Sequence, residues 1–178
     1  KWILENRFTI SQTNHDGTVL FAYHWGFANT KSADSVNFTY LGNRFEVFSP
    51  YISVGFYSSG NVGTGSMFLY GATGSIGFTM EVHGTINPVY SDSIIDLRYS
   101  TQRNSMIEMV ERASRGVTGF VRDASTNAPV QATILVRQSN GVEVRPSFSD
   151  PVVGNYWRFL APGNYTISVT ANGYAESD

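Results

Sequence analysis

Two titratable side chains in this 178-residue chain stand where they could do chemistry. Glu81 lies in Gly74-Ser75-Ile76-Gly77-Phe78-Thr79-Met80-Glu81-Val82. Alternation there predicts a strand with Ile76, Phe78, Met80 and Val82 on one face and Thr79, Glu81 and His83 on the other. A carboxylate near the end of such a strand is costly unless it is solvated, paired or used for chemistry. Two readings follow for Glu81: it faces water on a half-exposed sheet, or it is held for proton transfer. His15 lies in Asn14-His15-Asp16-Gly17, which reads as a turn after a strand. That placement suits a site at a sheet's end and equally a surface histidine.

Bulk composition narrows the classes of function. Hydrophobic residues make up 42% and charged residues 15%, which excludes a disordered or highly solvated chain. Ten Tyr, twelve Phe and seventeen Gly suit strands and turns better than helical bundles. A net charge of -2 supplies no field to attract nucleic acid or an acidic membrane. With no Cys there are no disulfides, thiolate metal sites or thiol nucleophiles. No run of about 18 apolar residues occurs, so no membrane span is expected. Lys1-Trp2-Ile3-Leu4-Glu5 lacks a signal peptide's apolar core and resembles the tail of an amphipathic helix, so further chain is expected before it.

The elements that must position these residues can be read in order. Lys1 to Arg7 reads as a helix tail with Trp2 and Ile3 as core contacts, and Phe8 to Ser11 as a short strand. Val19-Leu20-Phe21-Ala22-Tyr23 reads as a strand buried on both faces. A loop from Trp25 to Ser35 precedes a helix capped by Asp34 or Ser35, with Val36, Tyr40, Leu41, Phe45 and Phe48 as its apolar stripe and Pro50 at its end. The Gly- and aromatic-rich stretch Phe56 to Tyr70 reads as a long mobile loop near a site, or an ordinary connection plugging a core edge. After Pro88, Ser91 or Ser93 caps a helix with Ile95, Tyr99, Met106, Met109, Val110 and Ala113 inward and Glu108, Glu111 and Arg112 outward.

At Arg115-Gly116 the period changes from helical to alternating. Val117, Gly119 and Val121, then Ala132, Ile134 and Val136, then Tyr165, Ile167 and Val169 alternate with polar residues. Asp123 to Pro129 carries turn chemistry, and Asn140-Gly141 is a hairpin signal. Short strands at this spacing predict a small β-sandwich.

Two stretches then resemble one family. His15-Asp-Gly-Thr-Val-Leu-Phe-Ala-Tyr23-His-Trp25-Gly26 resembles the segment of zinc metallocarboxypeptidases, the funnelins, that holds their last zinc-binding His. Phe78-Thr79-Met80-Glu81-Val82 resembles their Thr-x-Glu-Leu or Thr-x-Glu-Val strand. Residues 115–178 resemble the transthyretin-like domain of the regulatory branch, the carboxypeptidase D and E type. Arg115 to Asp123, Tyr156-Trp157-Arg158-Phe159-Leu160-x-Pro162-Gly163-Asn164-Tyr165 and Ala171-Asn172-Gly173-Tyr174 carry that likeness. The resemblance implies an α/β catalytic-domain portion over 1–114, a mixed sheet with flanking helices and its N-terminal part missing. It implies an all-β transthyretin-like sandwich over 115–178, cut short at its end.

For function, the resemblance implies hydrolysis of C-terminal peptide bonds with one zinc ion as cofactor. His15 would be a zinc ligand, Glu81 the general base and then acid, and Tyr57 the residue closing over the substrate's carboxylate. Asp16 is expected to shape its turn. Peptide or protein C-termini would be the substrates, with neither nucleic acid nor a membrane span involved. A secreted, periplasmic or extracellular setting follows by the same likeness. Asn37-Phe-Thr39 and Asn164-Tyr-Thr166 are sequons in a eukaryotic source.

This sequence also departs from the pattern. His24 replaces a usual Pro, and Gly26 stands where enzymes that remove Lys or Arg carry an acid. By the resemblance, the family's His-x-x-Glu motif and the carboxylate-binding Asn-Arg pair that follows it are expected before residue 1, and His24 and His83 match no ligand position. A lone imidazole does not make a zinc site. The chain by itself is therefore expected to be inactive. The alternative is a non-catalytic binding or interaction module on a carboxypeptidase-derived scaffold.

Overall fold

Alternation and turn chemistry lead to a mixed chain of helices and several small sheets. The structure, a computed structural model, describes residues 2–6, 8–55, 60 and 62–175. The chain divides into two compact units, Lys1–Ser114 and Arg115–Asp178.

In the first unit a short helix, α1 (Trp2–Glu5), precedes strands β1 (Ile10–His15) and β2 (Val19–Tyr23). Then come helix α2 (Ser35–Phe48), strand β3 (Ile52–Gly55), helix α3 (Gly65–Thr73), strand β4 (Ile76–Val82) and helix α4 (Asp92–Ala113). The four strands make one mixed sheet in the order β1-β4-β2-β3. β4 is central, parallel to β1 and antiparallel to β2.

One face of β4 carries Ile76, Phe78 and Met80, all fully buried, as the alternation predicts. Phe21 of β2 stacks on Phe78 at 4.2 Å and on Phe45 of α2 at 4.0 Å, so this face is closed by α2. Each such ring is worth about 1.5–3 kcal/mol in area withdrawn from water. The opposite face carries Thr79 and Glu81 and is covered by α3.

Several expectations change here. β1 begins two residues later than predicted and runs through His15, so the turn follows at Asp16 rather than starting at Asn14. Trp2 is 65% exposed and meets Phe8 at 5.2 Å instead of entering the core. Only the C-terminal half of β2, Phe21 to Tyr23, is buried. In α2, Leu41 and Phe45 are buried, whereas Val36 and Phe48 are exposed and Phe38 takes the inward place. Asn37 is also fully buried and donates to Asp34 Oδ1 at 2.7 Å, so its sequon is closed to a glycan in the folded chain.

The loop expected over residues 56–70 is a helix from Gly65 onward. Thr64 caps it by accepting from Met67 N–H. Gly and aromatic content hid this element, because its helical character rests on the cap and on packing rather than on propensity.

α4 is the largest correction. Its buried residues are Gln102, Ser105, Glu108 and Met109, whereas Ile95, Tyr99, Met106 and Val110 are exposed. Polar partners set this rotation. Tyr51 O–H donates to the Val82 carbonyl and accepts from Arg98 and Gln102, while Glu108 accepts from Arg44 and Arg112, each at 2.7 Å. Burial pushes the Glu108 carboxyl up, but hydrogen bonds and charge from the two guanidinium groups more than reverse this and hold it below its usual value.

The second unit contains β5 (Val117–Phe120), β6 (Thr133–Gln138), β7 (Ser147–Phe148), β8 (Asn155–Arg158) and β9 (Tyr165–Thr170). β5 pairs with β8, and β6 lies between β7 and β9, all antiparallel. Ala132, Ile134, Val136, Val144 and Leu160 form its core, with Val117, Tyr165, Ile167 and Val169 packed against it. Asp123 Oδ1 accepts from the Ser125 and Thr126 backbone and from the Thr126 hydroxyl, the turn chemistry read from the sequence.

Two substitutions test this packing. A Cβ at Gly42 would stand 2.4 Å from Ser53 Oγ and 2.7 Å from Ser53 Cβ. Gly42→Ala should therefore destabilise by about 1–3 kcal/mol although alanine is the better helix former. Glu108→Gln should cost roughly 1–3 kcal/mol by removing the negative charge that the Arg44 and Arg112 guanidinium groups share. Denaturant midpoints read both.

Candidate functional site

Because β1 and β4 are parallel and in register, His15 lies directly opposite Glu81. Both stand at the carboxyl ends of their strands, where side chains reach past the sheet. His15 Nδ1 is 3.2 Å from Glu81 Oε2. The histidine side chain is 67% exposed and the glutamate 14%, so the carboxylate is largely sheltered and the imidazole reaches solvent. The hydrogen bond and charge of Glu81 raise the His15 imidazole above its usual value, helped by the Asp16 backbone.

The pair sits at the mouth of a cavity of about 370 Å³. Two residues back along each strand, Thr13 lies opposite Thr79, with their hydroxyl oxygens 3.2 Å apart. Thr79 Oγ1 is 3.0 Å from Ser66 Oγ, and Ser66 Oγ is 3.2 Å from Thr64 Oγ1. Gly77 makes this closeness feasible. A Cβ there would stand 2.9 Å from the Ser66 carbonyl oxygen, so any larger residue would push α3 off the sheet.

Of the residues singled out from sequence, His15 and Glu81 are brought together. Tyr57 lies outside the described residues. Asp16 follows the strand and accepts the Tyr90 hydroxyl at 3.2 Å. His83 is taken up locally with Thr85, accepting its N–H at 3.0 Å. Thr13, Thr64, Ser66 and His24 line the cavity as well and were not expected there. Thr13 was legible in principle, since it alternates with His15. Ser66 was not, because it rides on the unrecognised helix α3.

His24 is 4% exposed. Its Nε2 is buried without a hydrogen-bond partner among the described residues. Burial pushes its imidazole down to about 4, only partly offset by the Gly77 and Ser66 carbonyls.

Among the described residues no group of three or more His, Cys, Asp or Glu side chains could hold a metal ion. His15 and Glu81 supply two candidate donors, and a catalytic zinc takes three protein ligands. These residues do not by themselves fit the ion.

Comparison with known proteins bears on the chain as a whole. Residues 116–178 match the carboxypeptidase regulatory-like domain. Carboxypeptidase D of Anas platyrhynchos is 27% identical over 98% of this chain, and carboxypeptidase Z of Gallus gallus is 24% identical over 99%. Carboxypeptidase E of Caenorhabditis elegans is 33% identical over 60%. The chain spans 14%, 30% and 23% of the length of these three relatives. The C-terminal unit is thus a carboxypeptidase regulatory-like domain, and the chain is weakly homologous to carboxypeptidases D, Z and E.

The buried imidazole generates a pH prediction. Its folded value of about 4 lies below the ordinary 6.5, so between these the unfolded chain binds more protons. Stability should fall as pH drops from about 6.5 to about 4 and level off below, by at most about 3 kcal/mol from this residue. His24→Phe should flatten that slope in chemical denaturation between pH 7 and 4; an unchanged slope assigns the acid sensitivity elsewhere.

Proposed function

We propose that residues 1–114 belong to the catalytic domain of a zinc metallocarboxypeptidase that removes C-terminal residues from peptides or proteins. The regulatory-like domain is its appended β-sandwich. The observation that supports this most is the in-register His15–Glu81 pair, 3.2 Å apart at the mouth of a cavity. Weak similarity to carboxypeptidase D over 98% of the chain supports it independently.

In this reading Glu81 is the base. A sheltered carboxylate beside a cavity can take a proton from an attacking water and return it to the departing amine. His15 is one zinc ligand, and the reading calls for two more donors beyond the described residues. The chemistry assigned to this chain is its own proton transfer. Tyr57 closes over the substrate's carboxylate in the same proposal. An exported setting belongs to it as well. Among the described residues no helix is long and apolar enough to cross a membrane.

A second reading, a non-catalytic interaction module, is favoured by one observation: the described residues hold no cluster of three metal donors. The full-length protein carrying this segment separates the two. Glu81→Gln should lower hydrolysis of C-terminal peptide bonds by about 10²- to 10⁴-fold with zinc content unchanged. His15→Ala should lower zinc content measured by mass spectrometry. Turnover that survives Glu81→Gln overturns the catalytic role, and a zinc-free full-length protein favours the interaction module. The 178-residue polypeptide alone should release no C-terminal residue, even with zinc added.

A further inference from the structure

The two sequons, Asn37-Phe-Thr39 and Asn164-Tyr-Thr166, play no part in the proton-transfer chemistry. An asparagine amide in this setting takes a glycan when the chain enters a eukaryotic secretory lumen, and the product is bulky and water-loving. The unfolded chain offers both amides alike. The fold decides which modified product can become native.

The sites differ at the nitrogen that would carry the sugar. Asn37 is 0% exposed, and its Nδ2 donates to Asp34 Oδ1 at 2.7 Å. Asp34 Oδ2 accepts the Tyr70 hydroxyl at 3.0 Å, so the whole group lies inside the packed interior of the first unit. A glycosylated Asn37 would keep one N–H to donate, but the sugar itself would have no space, and native packing excludes it.

Asn164 stands instead on the exposed turn Pro162-Gly163-Asn164 that leads into β9. Backbone and Tyr165 hold this turn. Tyr165 O–H donates to the Ala161 carbonyl at 2.8 Å, and Ser139 N–H donates to the Asn164 carbonyl at 3.2 Å. A Cβ at Gly163 would already lie 3.2 Å from the Tyr165 ring, so the ring closes on the turn. The adjoining hairpin turn is open: Ser139, Asn140 and Gly141 are exposed, and a Cβ at Gly141 would meet nothing within 4 Å. Thr166, which completes the sequon, is exposed too.

We infer that Asn164 is an N-glycan acceptor and that the native protein carries no glycan at Asn37. The inference rests on the exported setting in the proposed function. The Asn164 amide nitrogen bonds to the anomeric carbon of a lipid-diphosphate-linked oligosaccharide. The bond from that carbon to the diphosphate oxygen breaks, the lipid diphosphate leaves, and one amide proton passes to the transferase's base. The glycan then stands where the 139–142 and 162–164 turns meet, outside the apolar core of Ile134, Val136 and Leu160.

The test secretes the full-length protein from eukaryotic cells behind a supplied leader and verifies its folded state by melting. Mass spectrometry reads the Asn37 and Asn164 peptides after peptide N-glycosidase in heavy-oxygen water, which marks each occupied asparagine as aspartate. Asn164 should be marked and Asn37 unmarked. Thr166→Ala, or Asn164→Gln should that variant fail to fold, should abolish the modification, whereas Thr166→Ser should keep it. Thr39→Ala, at an exposed position, should leave the pattern unchanged. An unmarked Asn164, a marked Asn37 in folded protein, or a mark that survives Thr166→Ala overturns the inference. Expressed with its own N-terminus, the protein should also reach the medium. Retention in the cell there overturns the exported setting rather than the acceptor, so the two failures are told apart.

Discussion

The register between β1 and β4 is the constraint on which the rest of the first unit depends. A strand has a period of two, so a slip of one residue would send His15 to the opposite face from Glu81. The register is held from both sides. Ile76, Phe78 and Met80 must face α2 to leave water, and Gly77 must face α3 because nothing larger fits beneath the Ser66 carbonyl. Apolar burial and steric exclusion thus select one pairing. The His15–Glu81 pair is its consequence at the open end of the sheet.

The two helices that cover β4 act differently. α2 supplies the aromatic stack from Phe45 through Phe21 to Phe78, which is nondirectional in its chemistry but exacting in shape. α3 supplies hydroxyls, and its approach is fixed by Gly77 and by the Ser66–Thr79 contact. One side of the strand is therefore a hydrophobic anchor and the other a polar wall. That division lets a sheltered carboxylate stand beside a cavity without the cavity becoming part of the core.

α4 shows polar satisfaction overruling apolar patterning. Its Ile95, Tyr99, Met106 and Val110 stripe is more hydrophobic than the face it buries. The buried face instead answers fixed obligations. Tyr51 O–H takes Arg98 and Gln102, and Glu108 takes Arg44 and Arg112. Leaving a buried carboxylate unpaired costs more than leaving several apolar side chains wet.

By itself the sequence determined the apolar strand at 19–23, the alternating strand at 76–82, the change of period at 115 and the turns of the β-sandwich, because these follow from local apolar runs, periodicity and turn chemistry. It also singled out His15 and Glu81, whose residue types and flanking patterns carry a resemblance. It did not determine that His15 ends a strand, that Gly65 to Thr73 is helical, or which face α4 buries. Those depend on groups distant in sequence: a cap at Thr64, an acceptor at Glu108, a phenol at Tyr51. The hydroxyl row was decided by tertiary structure alone, since Thr13, Thr79, Ser66 and Thr64 meet only when β1, β4 and α3 are assembled. Proton-transfer chemistry was legible in two residues; the wall beside it was legible only in the fold.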